Sequence, residues 1–199
     1  MIPTLPLRAR NRLAEAILNA LHDQEARRTL RALADGAAAE GGLDPETPEA
    51  SALFRLRAQR AVEAIAGLRL APRDPPLSQV LEQAAALFDA GLGFEVHELL
   101  ERHWVRATGD DRSALQGLIQ IAVGYQHEAN GNLVGARALL DEGSARVRDR
   151  RLAGTDLDPF GRAVANAAAR LGGSGAGLER PEFPRGTRLS TLRLGSDPP

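Results

Sequence analysis

Cysteine is absent from the 199 residues, which excludes disulfides, thiolate nucleophiles, Cys-ligated zinc and iron–sulfur clusters. Lysine is absent as well, because all 25 basic residues are arginine. A Schiff-base lysine, a pyridoxal-phosphate anchor and a P-loop lysine are therefore excluded. Aromatic residues are scarce, with five Phe, one Trp and one Tyr against 35 alanines, a balance that favours helix over sheet. No run approaches the ~18 apolar residues needed to cross a bilayer. The opening Met1-Ile2-Pro3-Thr4-Leu5-Pro6-Leu7-Arg8 meets arginine before an apolar core can form, so no signal peptide is expected. A large charge of either sign is lacking too. The net charge of −1 and pI of about 6.4 exert no general pull on nucleic acid or anionic lipid. A cytoplasmic protein with neither membrane nor nucleic-acid partners is the expectation. Its available chemistry is that of carboxylates, four histidines, hydroxyls and arginines.

What is present is helical periodicity. Leu13, Ile17, Leu21, Leu30 and Leu33 predict one long or one broken helix across residues 7–35, ended by Gly36 and Gly41-Gly42. Thr47-Pro48-Glu49 reads as an N-cap, a proline at N1 and an acid in the first turn of the next helix. Three prolines between Ala71 and Pro76 stop any helix and mark the clearest linker. Beyond it the pattern predicts helices over Leu77–Ala90, Gly93–Ala107, Arg112–Ala129, Asn132–Arg150 and from Asp158-Pro159 to Leu171. Gly91 and Asn130-Gly131 stand at the stops. The fold class is all-α, a compact bundle of antiparallel helix hairpins. Residues 1–71 form an N-terminal helical extension, 77–171 the helical core, and 172–199 an extended or disordered tail without strand pattern.

Chemistry concentrates in Phe94-Glu95-Val96-His97-Glu98-Leu99-Leu100-Glu101-Arg102-His103-Trp104. At 100° per residue, Glu101 and Trp104 fall within about 40° of His97, on one stripe of a helix. A stripe holding the sole tryptophan is expected to face inward, and its polar groups then need partners. Gln116, Gln120 and His127 share one stripe of the following helix and are the expected partners. Glu98 and Arg102, at i and i+4, suit a surface ion pair. Two readings follow. In one, the cluster is a polar network that fixes helix register. In the other it is a metal or acid–base site, with His97, Glu101 and His127 as ligands and Trp104, Gln116, Gln120 and Glu98 as binding residues. Nitrogen and oxygen ligation then points to a divalent metal, Zn, Mn, Fe or Ni.

Several stronger motifs fail. His97-Glu98-Leu99-Leu100-Glu101 has glutamate where H-E-x-x-H needs its second histidine. There is no Glu-x-x-His pair of the di-iron kind. Gly172-Gly173-Ser174-Gly175-Ala176 misses the last glycine of G-x-S-x-G and follows a helix. Arg146, Arg148, Arg150 and Arg151 are the densest basic cluster, placed to complement a helix C-terminus.

The stretch from about Leu81 to Val147 resembles the bacterial and archaeal family known as domain of unknown function 309. Its His-x-x-x-Glu-x-x-(Trp or Tyr) signature is met by His97, Glu101 and Trp104. Phe88-x-x-Gly91, Gln116-Gly117-Leu118-Ile119-Gln120 and Gly131-Asn132-x-x-Gly135-Ala136 are similar to that family too. The resemblance covers about a third of the chain and implies a helical bundle with a metal-binding motif, without an established reaction. If the motif were catalytic, metal-assisted or His/Glu acid–base hydrolysis is the chemistry it fits. The alternative of a different class is a helical scaffold that binds a protein partner or a second copy of itself. Its hairpins would stack in tetratricopeptide style, although no 34-residue period is present.

Overall fold

The computed structural model describes residues 4–37, 47–172 and 178–186. Eight helices follow one another among them: α1 (Leu7–Ala20), α2 (Gln24–Ala34), α3 (Pro48–Ile65), α4 (Leu77–Asp89), α5 (Gly93–Trp104), α6 (Gly109–Ala129), α7 (Leu133–Val147) and α8 (Asp158–Ala169). The fold is all-α, with one small exception. Residues Arg151–Leu152 (β1) and Thr155–Asp156 (β2) pair as a two-rung antiparallel hairpin between α7 and α8. Two residues per strand are too few to show an alternating pattern, so nothing in the sequence announces it. The expected break at Gly41-Gly42, the Gly173-to-Ala176 stretch and the terminal prolines lie outside the described residues.

Local chemistry sets the helix ends. The periodicity over 7–35 resolves into two helices because Asp23 turns extended and accepts the Ala26 N–H at 2.8 Å, capping α2. Thr47 Oγ1 accepts the Ala50 N–H at 3.2 Å and Pro48 opens α3, as its sequence predicts. The Asn132 side chain accepts the Gly135 N–H at 3.0 Å and starts α7. After α4 and α6 the chain turns at Gly91 (φ +76°) and Gly131 (φ +77°), a left-handed backbone that a Cβ would penalise. At the end of α7, Arg150 Nε donates to the Arg146 carbonyl at 2.7 Å, so one member of the basic cluster satisfies an orphan carbonyl.

A single apolar core runs through the helices. Leu13, Ile17, Leu81, Leu100, Leu118 and Ile121 are all fully enclosed. The helices α6 and α7 approach closely because glycines face each other. A Cβ at Gly117 would lie 2.7 Å from Val147 Cγ1, and one at Gly143 would lie 2.8 Å from the Gly117 carbonyl oxygen. The segment 178–186 has no regular secondary structure, yet it is docked. Phe183 is 1% exposed and packs against Phe88 (ring centroids 4.9 Å apart) and Phe160 (5.3 Å). The Tyr125 hydroxyl donates to the Glu179 carbonyl at 3.0 Å, and the Arg180 guanidinium to the Phe88 carbonyl at 3.1 Å. The chain beyond α8 therefore completes the aromatic centre of the core. Among the described residues, no helix is long and apolar enough to cross a membrane.

Candidate metal centre on helix α5

Leu92, Val96, Leu99 and Leu100 are buried and anchor α5 against the bundle. Its N-terminal turn lies tight on α6, because a Cβ at Gly93 would come within 2.6 Å of the Ala122 carbonyl oxygen. This seating leaves the His97 stripe at the boundary of the protein rather than inside it. The side chains of His97, Glu98 and Glu101 are 27%, 37% and 47% exposed. His97 Nδ1 lies 3.4 Å from Glu98 Oε1, and Nε2 lies 3.6 Å from Glu101 Oε2. One ligand atom from each of the three falls within 4.8 Å of the others.

The donor chemistry fits a divalent cation. Ligands bound to one ion at about 2.1 Å are at most ~4.2 Å apart. The remaining contraction is less than about 1 Å, which exposed glutamates make by small torsional changes. Were an ion held there, His97, Glu98 and Glu101 would be its three protein ligands, a number met in open rather than closed sites. An ion held there would supply Lewis-acid polarisation of a bound oxygen.

The other residues singled out in the sequence lie as follows. Trp104, one turn beyond Glu101, is partly buried, with its ring 3.9 Å below the Arg112 guanidinium carbon. Arg112 also donates to the Trp104 carbonyl at 2.9 Å, tying the C-terminus of α5 to the start of α6. The Trp104 indole N–H is buried with no hydrogen-bond partner among the described residues. Gln120 turns to α7, where it bonds to Glu142 and lies beneath Gly143. His127 Nδ1 is 2.8 Å from Asn132 Nδ2, at the α6–α7 turn. Gln116 is half-buried on α6. The group that converges is thus His97, Glu98 and Glu101, with the α6 stripe directed partly toward α7.

Two features escaped the sequence reading. Glu95 is fully buried, and both its oxygens accept from Arg57 Nη2 of α3, at 2.8 and 3.1 Å. Burial pushes the Glu95 carboxyl up while Arg57, and more weakly Arg10, pull it down. A signal existed, since Glu95 stands three residues after Leu92 and four before Leu99, on the inward stripe of α5. Its partner 38 residues away carried no such mark. The second feature is His103, whose ring burial holds below its ordinary value despite nearby Asp74, with Arg106, Arg102 and His22 adding to the depression. A depressed histidine contributes stability that is complete above its unfolded value near ~6.5 and is lost as pH falls through the lower folded value. Wild type should therefore lose melting temperature from pH 7 to 5 more steeply than His103→Gln. Parallel curves for the two would show that His103 does not carry this dependence.

Comparison with known proteins bears on the same elements. No curated protein and no solved structure matches the chain. Residues 81–139 match the family model described as Domain of unknown function (DUF309). That stretch runs from within α4 to the middle of α7 and contains the whole His97–Glu98–Glu101 group. The helical hairpins that carry this group are accordingly the part of the chain that is similar to the DUF309 family.

Proposed function

We propose that this protein binds a divalent cation through His97, Glu98 and Glu101, with Trp104 walling the site on the Glu101 side. The observation that carries this reading is the convergence of one imidazole and two carboxylates within 4.8 Å at a partly exposed rim. Their exposure also weighs against a purely structural role. A polar network that fixes register does so because leaving it unmade inside the core costs about 1–3 kcal/mol per group, and solvent at this rim removes that penalty. Gln116 and Gln120 on α6, with His127 at its end, support the neighbouring helix surface in this reading. Soft thiolate selection is excluded by composition, so Zn, Mn, Fe or Ni are the candidates.

Calorimetric titration of the full chain with Zn²⁺, Mn²⁺ and Ni²⁺ after chelator treatment tests the proposal. Wild type should take up one ion per chain at micromolar affinity, and His97→Ala should weaken uptake by at least about 100-fold. Glu98→Gln and Glu101→Gln should each weaken it by about 10- to 100-fold, the range for altered metal-ligand shells. Because Trp104 is the only tryptophan and lies one turn from Glu101, Ni²⁺ binding should quench its fluorescence. Absence of saturable uptake of all three ions by wild type would end the proposal.

A further inference from the structure

Phe94 neighbours both His97 and a separate, cationic cleft. The Phe94 ring centroid is 6.1 Å from that of His97. Its ring also carries the Arg10 guanidinium, whose central carbon lies 4.1 Å from the ring centroid. Arg10 belongs to a cleft of about 360 Å³ between α1, α3 and the α5–α6 pair, lined also by Arg57, Arg60, Leu5 and Leu53. That volume is in the range of small-molecule sites.

The charges in this cleft do not balance. Three guanidinium groups line it, and the lining holds no carboxylate among the described residues. Glu95 lies behind it, fully buried and engaged by Arg57. Arg57 Nε is buried and has no hydrogen-bond partner there. Arg60 makes no ion pair among the described residues, and it lies within electrostatic range of another cation, Arg180. A Cβ at Gly91 would have Arg180 Nη1 at 3.2 Å and Arg60 Nη1 at 3.9 Å, so these two groups converge. Like charges gathered in a cleft repel unless an anion joins them, and arginine forks match the oxygens of phosphate. The helix α1 starts at the cleft with no capping side chain and no acid in its first turn, which leaves its positive end unopposed.

From this arrangement we infer an oxyanion site: Arg10, Arg57 and Arg60 receive the dianionic head of a small phosphate monoester, and Phe94, Leu5 and Leu53 receive its apolar part. Three cations less the Glu95 carboxylate leave two positive charges, which a phosphate monoester dianion matches. The N-terminal helices, which lie outside the stretch similar to DUF309, thereby supply the cations, while that stretch supplies the aromatic wall. This inference does not rest on the cation proposal above, and the two are tested separately.

The test uses the full chain with excess EDTA at constant ionic strength, so that no metal-bound phosphate is read. Inorganic phosphate and phenyl phosphate are titrated by calorimetry. Wild type should bind inorganic phosphate saturably in the millimolar range, and phenyl phosphate about tenfold more tightly through the apolar wall. Arg60→Gln, an exposed residue outside any ion pair among the described residues, should weaken both by about tenfold, and Arg10→Gln by a similar factor. His97→Ala should bind both anions as wild type does. Lack of saturable binding at about 20 mM of either anion overturns the inference. So does wild-type affinity in Arg10→Gln/Arg60→Gln. Phosphate vesicle lipids test the source: phosphatidic acid vesicles that capture the protein while soluble phosphate monoesters fail to bind would overturn the small-molecule reading.

Discussion

Arg57→Ala should lose about 3–5 kcal/mol of folding stability, the usual result of leaving one member of a buried ion pair behind. Glu95 is 0% exposed and both its oxygens are held by one nitrogen of Arg57. Without the guanidinium, the carboxylate must either remain charged in a low-dielectric surround or take up a proton. The variant therefore carries a distinctive pH response. With its folded value raised further above the unfolded one, Glu95 contributes stability that is present at acid pH and lost as pH rises through the folded value. Urea unfolding at pH 5 and pH 7.5 should show Arg57→Ala gaining relative to wild type at the lower pH. Arg57→Leu/Glu95→Leu should regain much of the loss, because an apolar pair removes both charges together. A deficit below about 1 kcal/mol for Arg57→Ala at neutral pH would mean that solvent reaches Glu95.

Gly93→Val should lower stability by about 1–3 kcal/mol, the usual range for overpacking a close contact. The expected shift is ~2–4 °C of melting temperature per kcal/mol for a chain of this size. The reason is geometric. The new Cβ would come within 2.6 Å of the Ala122 carbonyl oxygen, a backbone atom that cannot rotate aside. Relief requires α5 to move off α6, carrying with it Phe94 and His97. The same variant should thus weaken cation uptake at the His97 group, without touching any ligand. Wild-type melting temperature in Gly93→Val would show that the α5–α6 seam yields easily.

The helices were legible because their stops and starts are written in local chemistry. Thr47-Pro48 and Asn132 cap α3 and α7, and Gly91 and Gly131 end α4 and α6, each within a few residues of its effect. The His97–Glu101 pairing was legible for the same reason, since i and i+4 on a helix are neighbours whatever the tertiary fold. Glu98 was read both as an ion-pair partner of Arg102 and as a binding residue of the His97 group, and it lies 3.4 Å from His97 Nδ1. Side-chain torsions near a helix surface decide that choice, and spacing alone does not encode them.

Composition and periodicity by themselves determined the all-α class, the helix order and the absence of thiol and lysine chemistry, because each depends on residue identity or on neighbours within about one turn. Only the tertiary structure decided which distant groups meet: Arg57 with Glu95, Arg10 with Phe94, Phe183 with Phe88, and Gln120 with α7 rather than α5. Those pairings are set by how whole helix faces pack, a free energy summed over the core rather than carried by any one segment.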